Sequence, residues 1–121
     1  MTQEDRNLLL KDLCSRLPYN VVIRCTDNDT DYKCFLTTGI LNELLHNTEY
    51  YDYKPYLRPM SSMTEKEKRK YDILVEEIVY RPGVLTCSSL INFCYEHHLD
   101  DLGLIEKGLA LEAPEDMYKT S

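Results

Sequence analysis

The 121-residue sequence has no tryptophan, only 2 phenylalanines, 4 scattered glycines and no apolar run longer than three residues. A membrane-spanning helix needs about twenty consecutive apolar residues, so none is expected. Gly39, Gly83, Gly103 and Gly108 stand too far apart for a phosphate-cradling GxGxxG or GxxxxGK[ST] loop. Basic charge is also short. Fourteen Lys and Arg face 21 Asp and Glu, a net charge of -7, which opposes direct binding to duplex nucleic acid. The densest basic stretch, Lys66, Lys68, Arg69 and Lys70, alternates with Glu65 and Glu67 and reads as helical ion pairing. An acidic surface suits solubility, a basic protein partner, or imitation of nucleic-acid charge. The opening Met1-Thr2-Gln3-Glu4-Asp5 is acidic where a secretion signal would be basic.

Five cysteines are present, an odd number with no CxxC pair: Cys14, Cys25, Cys34, Cys87 and Cys94. Reduced, mostly buried thiols in a cytoplasm are the expectation. A Cys25–Cys34 disulfide across a hairpin is the minor alternative.

What remains is ordinary globular material. Apolar residues make up 43% and charged residues 29%, which fits one compact domain over residues 1–121. Leu9, Leu10, Leu13 and Leu17 recur at helical spacing, so residues 3–17 read as an amphipathic helix. Thr2 caps it, with Asp5 as a weaker capping-box partner, and Pro18 stops it. Residues 19–58 read as a sheet region. Val21, Val22 and Ile23 favour a strand, Asp27 to Asp31 form a turn, and a second strand begins at Tyr32. Residues 40–46 carry apolar residues at helical spacing but are few, and they are read as a third strand after a bend at Gly39. Pro55 and Pro59 make residues 47–63 extended and place them on an edge, with Tyr53 or Leu57 inward.

Residues 64–80 read as a helix opened by a Thr64–Glu67 capping box, with Tyr71, Leu74, Val75 and Ile78 on one face. A further helix covers residues 86–98, capped by Thr86 or Ser88 and lined by Leu90, Phe93, Cys94 and His97. Residues 99–121 read as a loop-rich tail with a short extended piece, frayed beyond Pro114. The fold class expected is α+β, a small antiparallel sheet covered by about three helices.

Candidate chemistry is sparse. Cys94, His97 and His98, with Cys87 one heptad earlier, have helical spacing for metal ligands but lack a clear fourth. Cys94, His98 and Asp100 or Asp101 spell a nucleophile, base and acid, yet Cys94 falls on the core stripe, where a thiol is inert packing. Asp27, Asp29 and Asp31 imitate a calcium loop, but Tyr32 occupies the position where that loop needs glycine. No catalytic residue, metal or cofactor is assigned.

The most unusual feature is tyrosine: ten in all, four of them within seven residues. An extended chain points alternate side chains to opposite faces, so Tyr50, Tyr51, Tyr53 and Tyr56 cannot all be buried on one side. Together with Arg58 they are the candidate binding residues, since tyrosine and arginine are common anchors of recognition surfaces. The plainer reading is that these rings pack internally and Arg58 anchors the loop. A runner-up function has the aromatic strip stacking a nucleotide base while Arg58 grips a phosphate. A small cysteine-dependent hydrolase is the third reading.

Three blocks carry a resemblance: residues 54–65 (KPYLRPMSSMTE), residues 103–114 (GLIEKGLALEAP) with Asp116-Met117-Tyr118, and residues 8–19 (LLLKDLCSRLPY). Together they span about a third of the chain and resemble small prophage and mobile-element proteins of gut Bacteroidales. The resemblance implies a bacterial cytoplasmic origin and an accessory role in a phage or mobile element, and it implies no reaction. The leading expectation is a non-enzymatic protein that occupies a host or phage protein, for instance a defence or regulatory protein. Self-association is compatible with this reading.

Overall fold

A computed structural model describes residues 2–27, 30–46, 51–81 and 83–118. In chain order it contains α1 (Gln3–Arg16), β1 (Val22–Asp27), β2 (Thr30–Phe35), α2 (Thr38–His46), β3 (Tyr51–Leu57), α3 (Glu65–Tyr80), α4 (Val84–Glu96) and β4 (Leu111–Glu112). The class is α+β, as expected from the sequence.

The helix ends follow local chemistry. Thr2 Oγ1 accepts the Asp5 N–H at 3.0 Å and starts α1. Thr64 and Glu67 form a complete capping box at α3: Oγ1 accepts the Glu67 N–H, and the Glu67 carboxylate accepts the Thr64 N–H. The cap expected for α4 is corrected. That helix begins earlier, at Val84 after Gly83, and has no side-chain cap bond. It also stops earlier. His98 lies beyond the helix in the left-handed region, at φ 58°, a position more often held by glycine or asparagine.

The reading of residues 40–46 as a strand is overturned, since Thr38–His46 is a helix. Thr37 Oγ1 accepts the Ile40 N–H and starts it, and Leu44 is buried. The helical spacing of Ile40, Leu41, Leu44 and Leu45 outweighed the shortness of the segment, because tertiary burial stabilises a short helix that would not form alone.

The sheet order is β2-β1-β3-β4, antiparallel except for the parallel β3–β4 pair. β3 is an edge only over its first part, because β4 pairs with Tyr56 and Leu57 alone. Pro55 sits one residue before that pairing begins, where its missing N–H breaks no bond to β4. On the inner face, Val21, Ile23, Cys25, Tyr53 and Leu57 are buried beneath Leu9 and Leu13 of α1, Leu44 of α2, and Leu104, Leu109 and Ala110 of the tail.

A second cluster gathers Leu74, Phe93, Cys94 and Leu99, with Met60, Met63, Tyr71 and Leu90 around them. The α3–α4 hairpin therefore builds its own core. α1 covers the sheet as expected, but α2 and the tail take the place of the helices expected over residues 64–80 and 86–98. Val75 is 36% exposed and is not part of the packed α3 face, where Leu74 is buried as expected, with Tyr71 packed against the same core, and Glu67 is buried as well.

Residues 115–118 form a turn packed on the sheet, which corrects the fraying expected there after Pro114; residues 119–121 lie outside the described residues. Gly103 and Gly108 turn the chain at φ 70° and 74°, and the Asp100 carboxylate accepts the N–H groups of Leu104 and Ile105. Tyr118 then reaches the sheet. Its hydroxyl accepts the Val22 N–H at 2.7 Å and donates to the Tyr56 carbonyl at 2.7 Å. It thus supplies a rung just past the last β1–β3 pair, Ile23 opposite Pro55. Its ring stacks on His98 at 3.8 Å, and burial pushes the phenol up to about 12. Tyr118→Phe keeps the stacking but strands a backbone donor and acceptor. It is expected to cost about 1–3 kcal/mol in urea denaturation. A change within error would show that water replaces the hydroxyl.

Candidate functional site

Residues 58–67 and 112–118, far apart in sequence, meet in space. The end of β3, the start of α3 and the chain after β4 enclose a cleft of about 520 Å³, lined by Arg58, Pro59, Ser62, Thr64, Glu67, Glu112, Ala113, Pro114, Glu115 and Tyr118. Backbone bonds fix its floor. The Arg58 N–H donates to the His98 carbonyl at 2.7 Å, the Arg58 carbonyl accepts the Asp100 N–H at 2.8 Å, and the Ala113 N–H donates to the Leu57 carbonyl at 2.8 Å.

Arg58 organises one wall. Its Nη1 and Nη2 donate to Glu67 Oε2 and Oε1 at 2.8 and 2.7 Å, a bidentate pair. Nη2 also donates to the Ser62 carbonyl, Nη1 to the His97 carbonyl and Nε to Ser62 Oγ. One guanidinium so joins the β3 end, the turn at Met60–Ser62, the first turn of α3 and the end of α4. The Arg58 guanidinium holds the Glu67 carboxyl down at about 2, with the Thr64 N–H adding to the effect. His97 Nδ1 lies 3.0 Å from the same carboxylate.

Arg58 and Glu67 neutralise one another. Glu112 and Glu115, both exposed, give the cleft its acidic character. The chemistry offered is two carboxylates and the Tyr118 ring, since the Thr64 hydroxyl accepts the Glu67 N–H and the Ser62 hydroxyl accepts from Arg58 and donates to the Pro59 carbonyl. Such a pocket suits a cationic, hydrogen-bond-donating group such as a guanidinium or ammonium.

The candidate tyrosine strip does not form one surface. Tyr50 lies outside the described residues. Tyr51 opens β3, and its side chain also lies outside them. Tyr53 is 5% exposed, packed into the inner core, which removes it as a binding residue. Tyr56 lies on the opposite sheet face, half-buried, with Lys33 Nζ 5.4 Å from its ring centroid. Arg58 alone reaches the cleft, and its anchoring role is the plainer reading made from sequence. A phosphate grip would have to displace Glu67.

The other constellations do not assemble. Cys94 is buried in the second core, and burial pushes its thiol up to about 11, far from a reactive thiolate. The Asp100 carboxylate is engaged by backbone N–H groups, and Asp101 binds Arg16. His98 lies against Tyr118, where burial first, then nearby cations, press its imidazole down to about 4. Among the described residues, no three His, Cys, Asp or Glu side chains stand together as metal ligands would. Cys25 and Cys34 lie 2.9 Å apart, sulfur to sulfur, as free thiols, and burial lifts Cys25 to about 12.

Glu112, Glu115 and Tyr118 are the site residues that sequence reasoning missed. No protein-family model, curated protein or solved structure matches this chain. Among the described residues, no helix is long and apolar enough to cross a membrane.

Proposed function

We propose that this chain is a non-catalytic binding protein, encoded by a prophage or mobile element, that acts in the bacterial cytoplasm by occupying a host or phage protein. A defence or regulatory protein is the target class proposed. The observation that carries the reading is the acidic cleft between the end of β3 and the chain after β4. It would receive a basic side chain of the partner, and the net charge of -7 would steer a basic surface toward it.

The test is Glu112→Lys with Glu115→Lys. Both residues are exposed, so the melting temperature is expected to hold. Affinity capture from a Bacteroidales lysate should lose a protein that the unaltered chain retains, and that protein should present an Arg or Lys to the cleft on cross-linking. Identical capture by both chains would sink the reading.

A further inference from the structure

The edge strand β2 carries a charge pattern that is complementary to itself. Its only neighbour in the sheet is β1, so among the described residues its other edge pairs with nothing. An exposed edge is a template for another strand. Five of its six residues are exposed, including Tyr32 at 47% and Phe35 at 60%. Asp31 and Lys33 flank Tyr32 and lie on the outer sheet face, opposite Thr26 and Arg24 of β1.

Consider a second copy docked edge to edge and antiparallel, related by a two-fold axis perpendicular to the sheet. That operation keeps each face on its own side, so only registers centred on a residue are permitted. Centred on Asp31, two aspartates oppose each other. Centred on Lys33, two lysines do. Centred on Tyr32, Asp31 faces Lys33 of the second copy and Lys33 faces its Asp31, while the two Tyr32 rings meet on the inner side. Directly opposed cross-strand charges are stabilising when opposite and destabilising when alike. The charges therefore select one register out of these three.

We infer that β2 is a homodimer interface, in which two copies pair antiparallel about Tyr32 and join their sheets into one. The cleft lies by β3 and β4, away from this edge, so each copy keeps its cleft open. The partner on this edge is a second copy of this chain, which makes the inference independent of what fills the cleft.

Sedimentation equilibrium at high micromolar protein tests it. The unaltered chain should sediment at twice its 14.2 kDa mass. Lys33→Asp and Asp31→Lys should each sediment as a monomer, because each opposes like charges across the dyad. Mixed in equal amounts, the two variants should recover a dimer, since every Asp then faces a Lys. Recovery on mixing also shows that both variants are folded. A monomeric unaltered chain, a dimer that survives Lys33→Asp, or variants that stay monomeric when mixed would each overturn the inference.

Discussion

An Arg16→Ala chain is expected to lose about 3–5 kcal/mol of stability, a large share of what a domain of this size possesses. Arg16 is fully buried. Its Nε and Nη2 donate to Asp12 at 2.7 and 3.1 Å, and Nη2 also reaches the Leu99 carbonyl at 2.8 Å and Asp101 at 3.0 Å. Its guanidinium carbon lies 4.8 Å from the Tyr95 ring centroid. One cation thus serves two carboxylates. Burial raises Asp12 and Asp101 above the usual carboxylate range, against the pull of Arg16 on both. Removing the cation leaves the buried Asp12 and the partly buried Asp101 without their shared counter-charge, and the Leu99 carbonyl with the Asp101 N–H as its remaining donor. Asp101→Asn keeps an acceptor and removes the surplus charge, and it should cost far less. Urea unfolding at neutral pH measures both. A midpoint for Arg16→Ala close to that of the unaltered chain would mean that the cluster contributes nothing.

Acid is the second large perturbation, and it should act in two stages. The His98 imidazole sits at about 4 in the fold against 6.5 for the free group. Folding favours its neutral form, so its contribution is complete above pH 6.5 and is lost as pH falls toward 4. Glu67 sits at about 2 against 4.5, so its contribution is complete above pH 4.5 and is lost as pH falls toward 2. Each displacement is worth about 3 kcal/mol on the scale of 1.36 kcal/mol per pH unit. Asp12 and Asp101, displaced upward, work in the opposite direction and soften the decline. Chemical denaturation from pH 7 to pH 3 should therefore show stability falling already between pH 6.5 and 4, above the range in which Glu67 titrates. His98→Asn tolerates the left-handed backbone and removes the titrating ring, so it should flatten that first stage. A stability curve level down to pH 4.5 would show that His98 is free to protonate in the fold.

Local chemistry was legible where it is self-contained. The Thr2 and Thr64 caps and the apolar stripe of α1 need only neighbours in sequence, whereas Pro18 sits within a 3-10 turn after α1 and Gly39 lies inside α2, not at a bend. Residues 40–46 were misread because seven residues cannot hold a helix unless something distant buries Leu44. The tyrosine strip failed for a related reason. Alternation showed that the four rings must divide between two faces, but which of them faced the core depended on strand pairing. The cleft was least visible of all. Arg58 was singled out and Glu67 was known as a cap, but their pairing depends on how β3 turns into α3. Glu112 and Tyr118 join them only through a parallel contact across the chain.

The described residues form two hydrophobic cores, and polar stitches help to hold them together: Arg16 from α1 to Leu99 and Asp101, and Arg58 from β3 to α3. The cleft opens along that seam, with Glu67 on the hairpin side and Glu112 and Tyr118 on the sheet side. A partner that fills the whole cleft would touch both sides of the seam. For such a partner, occupancy and the cohesion of the molecule would be a single equilibrium, in which gripping the seam also holds the hairpin on the sheet.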